Sequence, residues 1–206
     1  MPQTETVVSV NAITVYLGRH NLRFSTRNMQ IGFVDKVILH PDFKGENLKN
    51  DIAIIELGDN VRYTEWVRPA CLWPNNRVQQ NNIIGLRGSV VGWGKNERGI
   101  ASEELGLVEM PVVDTETCVK SYEEFFIRYT SPFTYCAGFK NGTSVCTGDS
   151  GGGMVFQADN TWYLRGVVSL SVGKLDGVIN CDTSHFAVFT DVAQYLPWIK
   201  RNVHSF

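Results

Sequence analysis

Short runs of Val, Ile and aromatic residues, separated by turn-forming residues, recur along most of this 206-residue chain. Runs of this kind at regular spacing are typical of an all-β barrel or sandwich and not of alternating strands and helices. The 19 glycines agree with many tight turns. Strands are predicted over residues 12–17, 30–39, 52–57, 86–93, 106–113, 152–157, 161–170 and 186–190.

Two segments depart from the strand pattern. Residues 114–126 open with Asp114, a good helix N-cap, and predict a short helix. Residues 191–203 carry apolar side chains at helical spacing and basic residues near their end, which predicts an amphipathic C-terminal helix. Pro197 fits only in a first turn, so the regular helix is predicted to begin near Gln194.

Charge and composition exclude some classes of protein. The formal net charge is −2, no run of like charges occurs, and no apolar stretch is long enough to span a membrane. We therefore expect neither a nucleic-acid nor a membrane partner. The first residues do not resemble a signal peptide. The five cysteines form no C-x-x-C pair, which argues against zinc but leaves reduced cytosolic cysteines possible. Asn141 begins a glycosylation triplet, which favours secretion.

One short segment points to nucleophilic chemistry: Cys146-Thr147-Gly148-Asp149-Ser150-Gly151-Gly152. A catalytic serine needs an exposed hydroxyl, a base and hydrogen-bond donors for the oxyanion. The glycines that flank Ser150 allow a sharp turn in which the amides of Gly148 and Ser150 serve as those donors. A glycine-rich hairpin with an ordinary serine is the alternative for so short a pattern.

Together with its neighbours this segment resembles the chymotrypsin/trypsin family of serine proteases, and within it the modular cascade proteases of arthropods. The resemblance covers nearly the whole chain and implies two antiparallel β-barrels, the first incomplete, with a C-terminal helix. It implies a partial first barrel over 1–70, a connection and second barrel over 71–190, and the helix over 191–206. The matching segments are residues 50–55, 68–72, 91–94, 135–138, 167–169 and 189–199.

The resemblance also assigns roles. Ser150 is the expected nucleophile, Asp51 the triad aspartate, and the amides of Gly148 and Ser150 the oxyanion hole. Asp149 is the residue that receives the newly cleaved N-terminus in active relatives. Met1 is not placed to supply that ammonium, so we expect Asp149 to be exposed or rehydrated, since a buried unpaired carboxylate is costly.

The same resemblance implies a substrate pocket and disulfides. Ser144 takes the place of the pocket floor, with Ser169 and Ala187 beside it. A serine cannot neutralise a buried cation, so cleavage is expected after uncharged, apolar residues. The implied disulfides are Cys118–Cys136 and Cys146–Cys181, which leaves Cys71 unpaired or bonded to an upstream segment.

The family's histidine base has no counterpart. No A-A-H-C segment precedes Asp51, and the four histidines, His20, His40, His185 and His204, lie outside the base position. We expect the chain to start after that segment, and the chain as printed to be inactive and poorly soluble because its first barrel is open.

Two functions remain at this stage. One is a secreted serine endopeptidase domain, made as a zymogen, that acts on proteins or peptides and is controlled by an upstream protease and a serpin-type inhibitor. The other is a non-catalytic protease homologue that acts as a binding or regulatory module. Neither needs a cofactor or metal, and the loop at 20–30 has no carboxylates for calcium.

Overall fold

A computed structural model describes residues 8–95, 99–142, 144–173 and 181–203. The chain divides into two compact units, Met1–Pro69 and Ala70–Phe206, and each is treated by itself. Among the described residues, no helix is both long and apolar enough to cross a bilayer.

The first unit contains a three-stranded antiparallel sheet in the order β1-β2-β3. In register, Tyr16 lies opposite Ile31, and Val37 lies opposite Ile55. Several large apolar side chains of this sheet remain exposed, including Phe33 at 65%. The sheet therefore buries little apolar surface by itself. Its strands are β1 (Thr14–Leu17), β2 (Gln30–Leu39) and β3 (Ala53–Leu57).

The second unit is a closed barrel. Its strand order is β10-β7-β6-β5-β8-β9-β4, and β10 also pairs with β9, which closes six antiparallel strands into a ring. The remaining strand, β4, adds to β9 in parallel. The strands are β4 (Cys71–Leu72), β5 (Arg87–Gly92), β6 (Gly106–Val113), β7 (Thr134–Ala137), β8 (Gly153–Ala158), β9 (Thr161–Ser171) and β10 (Ala187–Asp191).

Alternating side chains of these strands fill the barrel. Met110, Met154 and Phe189 are fully buried in one cluster, where the Phe189 ring stacks on Tyr135 at 5.4 Å. A charged pair is buried as well: Arg165 Nε donates to Asp191 Oδ1 over 2.7 Å, and both side chains have no exposed surface. Because every buried cation needs partners, the Arg165 guanidinium also binds backbone carbonyl oxygens.

The helix predicted over 114–126 is two helices, α1 (Thr115–Ser121) and α2 (Glu123–Tyr129). The break falls at Tyr122, whose backbone (φ −161°, ψ 80°) is not helical. Asp114 caps α1 as predicted, since its carboxylate accepts the Thr117 N–H at 2.8 Å.

The C-terminal helix begins later than predicted. A 3₁₀ turn occupies Val192–Tyr195, and the regular helix α3 covers Leu196–Asn202 with Pro197 in its first turn. Proline is tolerated there because the first-turn N–H groups have no partner inside the helix.

The prediction of an all-β fold with two antiparallel β-barrels, the first incomplete, and a C-terminal helix is confirmed: the second unit is a closed barrel, and the first unit holds an open three-stranded sheet. The strands at Gln30–Leu39 and Gly106–Val113 have their predicted bounds. Both implied disulfides are present, Cys118–Cys136 and Cys146–Cys181, and Cys71 is exposed and not in a disulfide. The short strands β4 and β7 were not predicted from the sequence.

Candidate active site

Ser150 lies exposed on a pair of consecutive reverse turns in the second unit. The N–H of Asp149 donates to Cys146 O, and the N–H of Gly152 donates to Asp149 O, each at 2.9 Å. Gly148 (φ +104°) and Gly151 (φ +83°) adopt backbone conformations that other residues rarely take. The glycines on either side of Ser150 thus allow the chain to present the serine at the surface.

The turns are fixed to the barrel on both sides. Gly151 N–H donates to Val168 O, and Val168 N–H donates to Gly152 O, each at 2.9 Å, so the segment after Ser150 is bonded to β9. On the other side, the Cys146–Cys181 disulfide and a hydrogen bond from Lys95 N–H to Thr147 O hold the segment before it. A rigid scaffold of this kind is what a positioned nucleophile requires.

The carboxylate of Asp149 points inward, towards the start of the loop after β5. Its Oδ1 accepts the Gly94 N–H at 2.9 Å and its Oδ2 accepts the Cys146 N–H at 3.0 Å. The expectation that Asp149 is exposed or rehydrated is corrected in part: the residue is half-buried, and two backbone N–H groups bind its carboxylate. Sequence reasoning missed Gly94 as part of this site, although the residue belongs to the matched segment 91–94.

Two glycines make room for this carboxylate. A Cβ atom on Gly92 would lie 2.0 Å from Asp149 Oδ1, and one on Gly94 would lie 2.1 Å from Oδ2. Both distances are far below van der Waals contact. The side chain of Asp149 can take its observed position only because both residues lack a side chain.

A cavity of about 150 Å³ adjoins the Asp149 carboxylate. Polar groups of Ser102, Ser144 and Asp149 face it together with the apolar side chains of Val90 and Val108. Lys95 lines the cavity as well, so one anionic and one cationic residue lie beside its apolar side chains.

The donors expected for an oxyanion are available in the second unit. Within its described residues, the N–H groups of Gly148 and Ser150 donate to no protein acceptor, and the Ser150 hydroxyl has no hydrogen-bond partner. Most backbone N–H groups in a folded protein have a protein partner or water. These two amides are therefore available to a ligand.

The predicted pocket residues occupy different environments. Ser144 is half-buried and faces the cavity beside Asp149. Ser169 is half-buried in β9, next to Val168. Ala187 is fully buried in the hydrophobic cluster of the barrel, so it presents no surface to a ligand in this structure. Its place in a pocket wall stays a prediction.

Asp51 belongs to the first unit, where it lies two residues before the start of β3 and is half-buried. The preceding residue, Asn50, has a positive φ of 56°, and its Nδ2 donates to Asp42 O at 2.8 Å. The chain at Asp51 is thereby held by its neighbours. The catalytic role of Asp51 stays a prediction.

Two of the histidines are occupied by local contacts. His40 follows β2, and its Nδ1 accepts the Asp42 N–H at 3.2 Å. In the second unit, the His185 ring stacks on Tyr122 at 5.1 Å, and its Nε2 lies 3.7 Å from Asp182 Oδ2. His20 is exposed on the loop after β1, and His204 lies outside the described residues.

Comparisons with known proteins show which family the chain resembles. A family model described as Trypsin matches residues 4–199. The chain is 31% identical to "Serine protease gd" of Drosophila melanogaster over 94% of its length, and 34% identical to "CLIP domain-containing serine protease B4" of Anopheles gambiae over 83%. It is also 32% identical to "Limulus clotting factor C" of Carcinoscorpius rotundicauda over 96%.

The barrel, the glycine-flanked serine and these matches define a class of protein: this chain belongs to the trypsin family of serine proteases. The matched regions cover 42%, 46% and 20% of the three relatives, so the chain spans less than half the length of each.

Proposed function

We propose that this chain is a serine endopeptidase domain in which Ser150 attacks the peptide carbonyl and forms an acyl-enzyme. The observation that carries the proposal is the exposed Ser150 hydroxyl on a fixed turn whose Gly148 and Ser150 amides have no acceptor among the described residues of the second unit. Amides preorganised in this way stabilise the negative charge that develops on the carbonyl oxygen.

The roles of the other two members of the triad are proposed from the chain's membership of the trypsin family. Asp51 would orient a histidine base, and the base would take the Ser150 proton and deliver it to the leaving amine. We assign none of the chain's histidines to that step, so the Ser150 hydroxyl in the chain as printed has no general base and keeps only the proposed oxyanion donors.

Asp149 is proposed to organise the site when a cationic group binds beside it. Lys95 and Asp149 both line the cavity, together with apolar side chains, and the Asp149 carboxylate can accept hydrogen bonds from an ammonium group carried on a small apolar residue. The dipeptide Ile-Val should therefore speed the reaction of Ser150, and Asp149→Asn should remove that effect. An equal effect in the variant would contradict this role.

An uncharged residue is proposed on the acyl side of the cleaved bond. Ser144, at the position of the pocket floor, has no charge with which to neutralise a buried Lys or Arg side chain. Peptidyl phosphonates that carry Phe in that position should modify Ser150 faster than the same compounds with Lys. The opposite order would exclude this preference.

The names of relatives suggest a setting. They include a clotting factor and "Phenoloxidase-activating factor 1" of Holotrichia diomphalia. We propose that this domain acts outside the cell in a proteolytic cascade, that another protease activates it, and that a serpin-type inhibitor opposes it. The two disulfides support an oxidising compartment.

A fluorophosphonate tests the nucleophile directly, because it phosphonylates an activated serine with loss of fluoride. The chain, refolded with its disulfides, should be modified slowly at Ser150, and added imidazole should speed the reaction by acting as an external base. Ser184, also exposed but hydrogen-bonded to Asp182, is the internal reference, and Ser150→Ala is the control.

The result also separates the two candidate functions. Modification of Ser150 that exceeds that of Ser184 and rises with imidazole supports a protease domain. If Ser150 reacts no faster than Ser184, with or without imidazole, the endopeptidase proposal is wrong. That outcome would favour a non-catalytic homologue that binds or regulates other proteins.

A further inference from the structure

The turn that carries Asn141 extends from the surface of the barrel after β7. Gly138, Lys140 and Gly142 all have positive φ, at 144°, 58° and 100°, so the chain reverses sharply at this point. Asn141 and Lys140 are exposed. Asn141-Gly142-Thr143 is also the only Asn-x-Ser/Thr triplet in the chain. A glycosylated asparagine requires this triplet and a surface position.

Neighbouring groups hold the turn in place. Gly138 N–H donates to Pro111 O at 3.1 Å, and Gly142 N–H donates to Thr183 O at 3.3 Å. The Lys140 ammonium lies 5.2 Å above the ring of Phe186. Because the anchors are on either side of Asn141, that residue stays at the surface after folding, where a large substituent can be accommodated.

The cysteines indicate the compartment. Cys118–Cys136 and Cys146–Cys181 both form in the folded chain, and structural disulfides persist in the secretory pathway and outside the cell. Asparagine-linked glycosylation takes place in that same pathway. The triplet and the disulfides are independent observations, and both indicate that the chain passes through the secretory pathway.

We propose that Asn141 carries an N-linked oligosaccharide. The co-reactant is an oligosaccharide joined to a lipid through pyrophosphate. The Asn141 Nδ2 forms a bond to C1 of the first N-acetylglucosamine while the bond from C1 to the pyrophosphate oxygen breaks. The lipid pyrophosphate leaves with that electron pair, and the amide gives up one proton to a base of the transferase.

The location gives the carbohydrate a physical effect. The carbohydrate covers Lys140 and the adjacent Thr183, whose carbonyl oxygen accepts the Gly142 N–H of the same turn. The inference does not depend on the proposed protease activity, because it uses no residue of the proposed catalytic machinery.

The test is a mass measurement on the whole chain, directed into the secretory pathway of a eukaryotic cell. A single glycan should be present, and peptide N-glycosidase in heavy-oxygen water should remove it and leave a labelled aspartate at position 141. Asn141→Gln and Thr143→Ala should each lose the glycan, whereas Thr143→Ser should keep it. The secreted and the cell-retained protein are both analysed, so failure of secretion does not hide the answer.

A disulfide-bonded chain in which the Asn141 peptide is entirely unmodified would overturn the proposal.

Covering of the turn by the carbohydrate is tested separately by acylation of lysines. Lys140 should react more slowly in the glycosylated protein than after glycan removal, relative to the exposed Lys120, which is distant in sequence. Equal Lys140 rates in the two forms would overturn the covering effect.

Discussion

Gly94 and Asp149, 55 residues apart in the chain, are joined by a hydrogen bond of 2.9 Å from the Gly94 N–H to Asp149 Oδ1. This bond connects the loop after β5 to the turn that presents Ser150. Since Cys146 N–H donates to the other carboxylate oxygen, Asp149 bridges two segments of backbone. The geometry of the nucleophile turn thus depends on a residue whose own side chain faces away from Ser150.

Gly94→Ala should destabilise this connection. The new Cβ would lie 2.1 Å from Asp149 Oδ2, so the carboxylate has to move and lose at least one backbone donor. Overpacking of this kind costs about 1–3 kcal/mol of unfolding free energy. Urea denaturation measures the loss.

Gly106→Ala is the matched control, because Gly106 faces the same cavity but its Cβ would meet only Gly92 O, at 3.6 Å. It should change the free energy of unfolding by less than about 0.5 kcal/mol. Equal losses of unfolding free energy in the two variants would show that the Gly94–Asp149 contact is not the cause of the destabilisation by Gly94→Ala.

Asp114→Ala should destabilise α1 by about 1 kcal/mol, because Asp114 is its N-cap. Hydrogen bonds from the Thr117 hydroxyl and then from the Thr117 N–H lower the pKa of Asp114. A lowered pKa means that the carboxylate stabilises the fold above about pH 4, and that this contribution is lost as the pH falls through the folded value. Unfolding curves between neutral and acid pH should show it.

The variant Asp114→Asn separates the effect of the helix cap on stability from the effect of the carboxylate charge. Asparagine is also a good N-cap, so this variant should keep most of the stability at neutral pH and lose the pH dependence that belongs to Asp114. If Asn and Ala variants are equally unstable, the hydrogen bond to Thr117 N–H is not the source of the stabilisation.

Much of the fold followed from local patterns. The strand at Gln30–Leu39 and the cap at Asp114 depend on alternation and on a side chain three residues from its donor, and both were predicted correctly. The break at Tyr122 was not, because nothing in the local pattern of residues 114–126 marks the end of a first helix. The strands β4 and β7 are too short for alternation to be visible.

The site was only partly predictable for a different reason. Ser150 and Gly148 could be predicted as site residues because a nucleophile turn is formed by residues that are consecutive in the sequence. The contact of Gly94 with Asp149 could not, since it joins segments that meet only when the barrel closes. Burial of Arg165 against Asp191 was missed for the same reason, because the two residues lie 26 positions apart in the chain.

Arg165→Met should cost about 3–5 kcal/mol, because it leaves the buried Asp191 carboxylate without its cation. Adding Asp191→Asn to that variant should restore part of the stability, since no uncompensated charge remains and asparagine can still accept the Ala193 N–H. Lys120→Met, in the exposed Lys120–Glu116 pair, should change stability by less than about 0.5 kcal/mol. A double variant less stable than Arg165→Met alone would contradict this account of the pair.

Stability should fall in alkaline solution because of Tyr135. Burial raises the pKa of the Tyr135 hydroxyl well above its ordinary range, and the nearby Asp191 raises it further. The folded state therefore holds this proton more tightly than the unfolded state. Its contribution is complete below about pH 10 and is lost as the pH rises from there towards the folded value.

Tyr135→Phe removes the titrating group and also the weak hydrogen bond from the hydroxyl to Met154 Sδ. Near neutral pH the variant should differ little from the natural chain, because a bond to a thioether is weak. Above about pH 10 its free energy of unfolding should fall less steeply with pH than that of the natural chain. Tyr63→Phe, at an exposed position, should leave the slope unchanged. Parallel curves for Tyr135→Phe and the natural chain would mean that another group governs the alkaline transition.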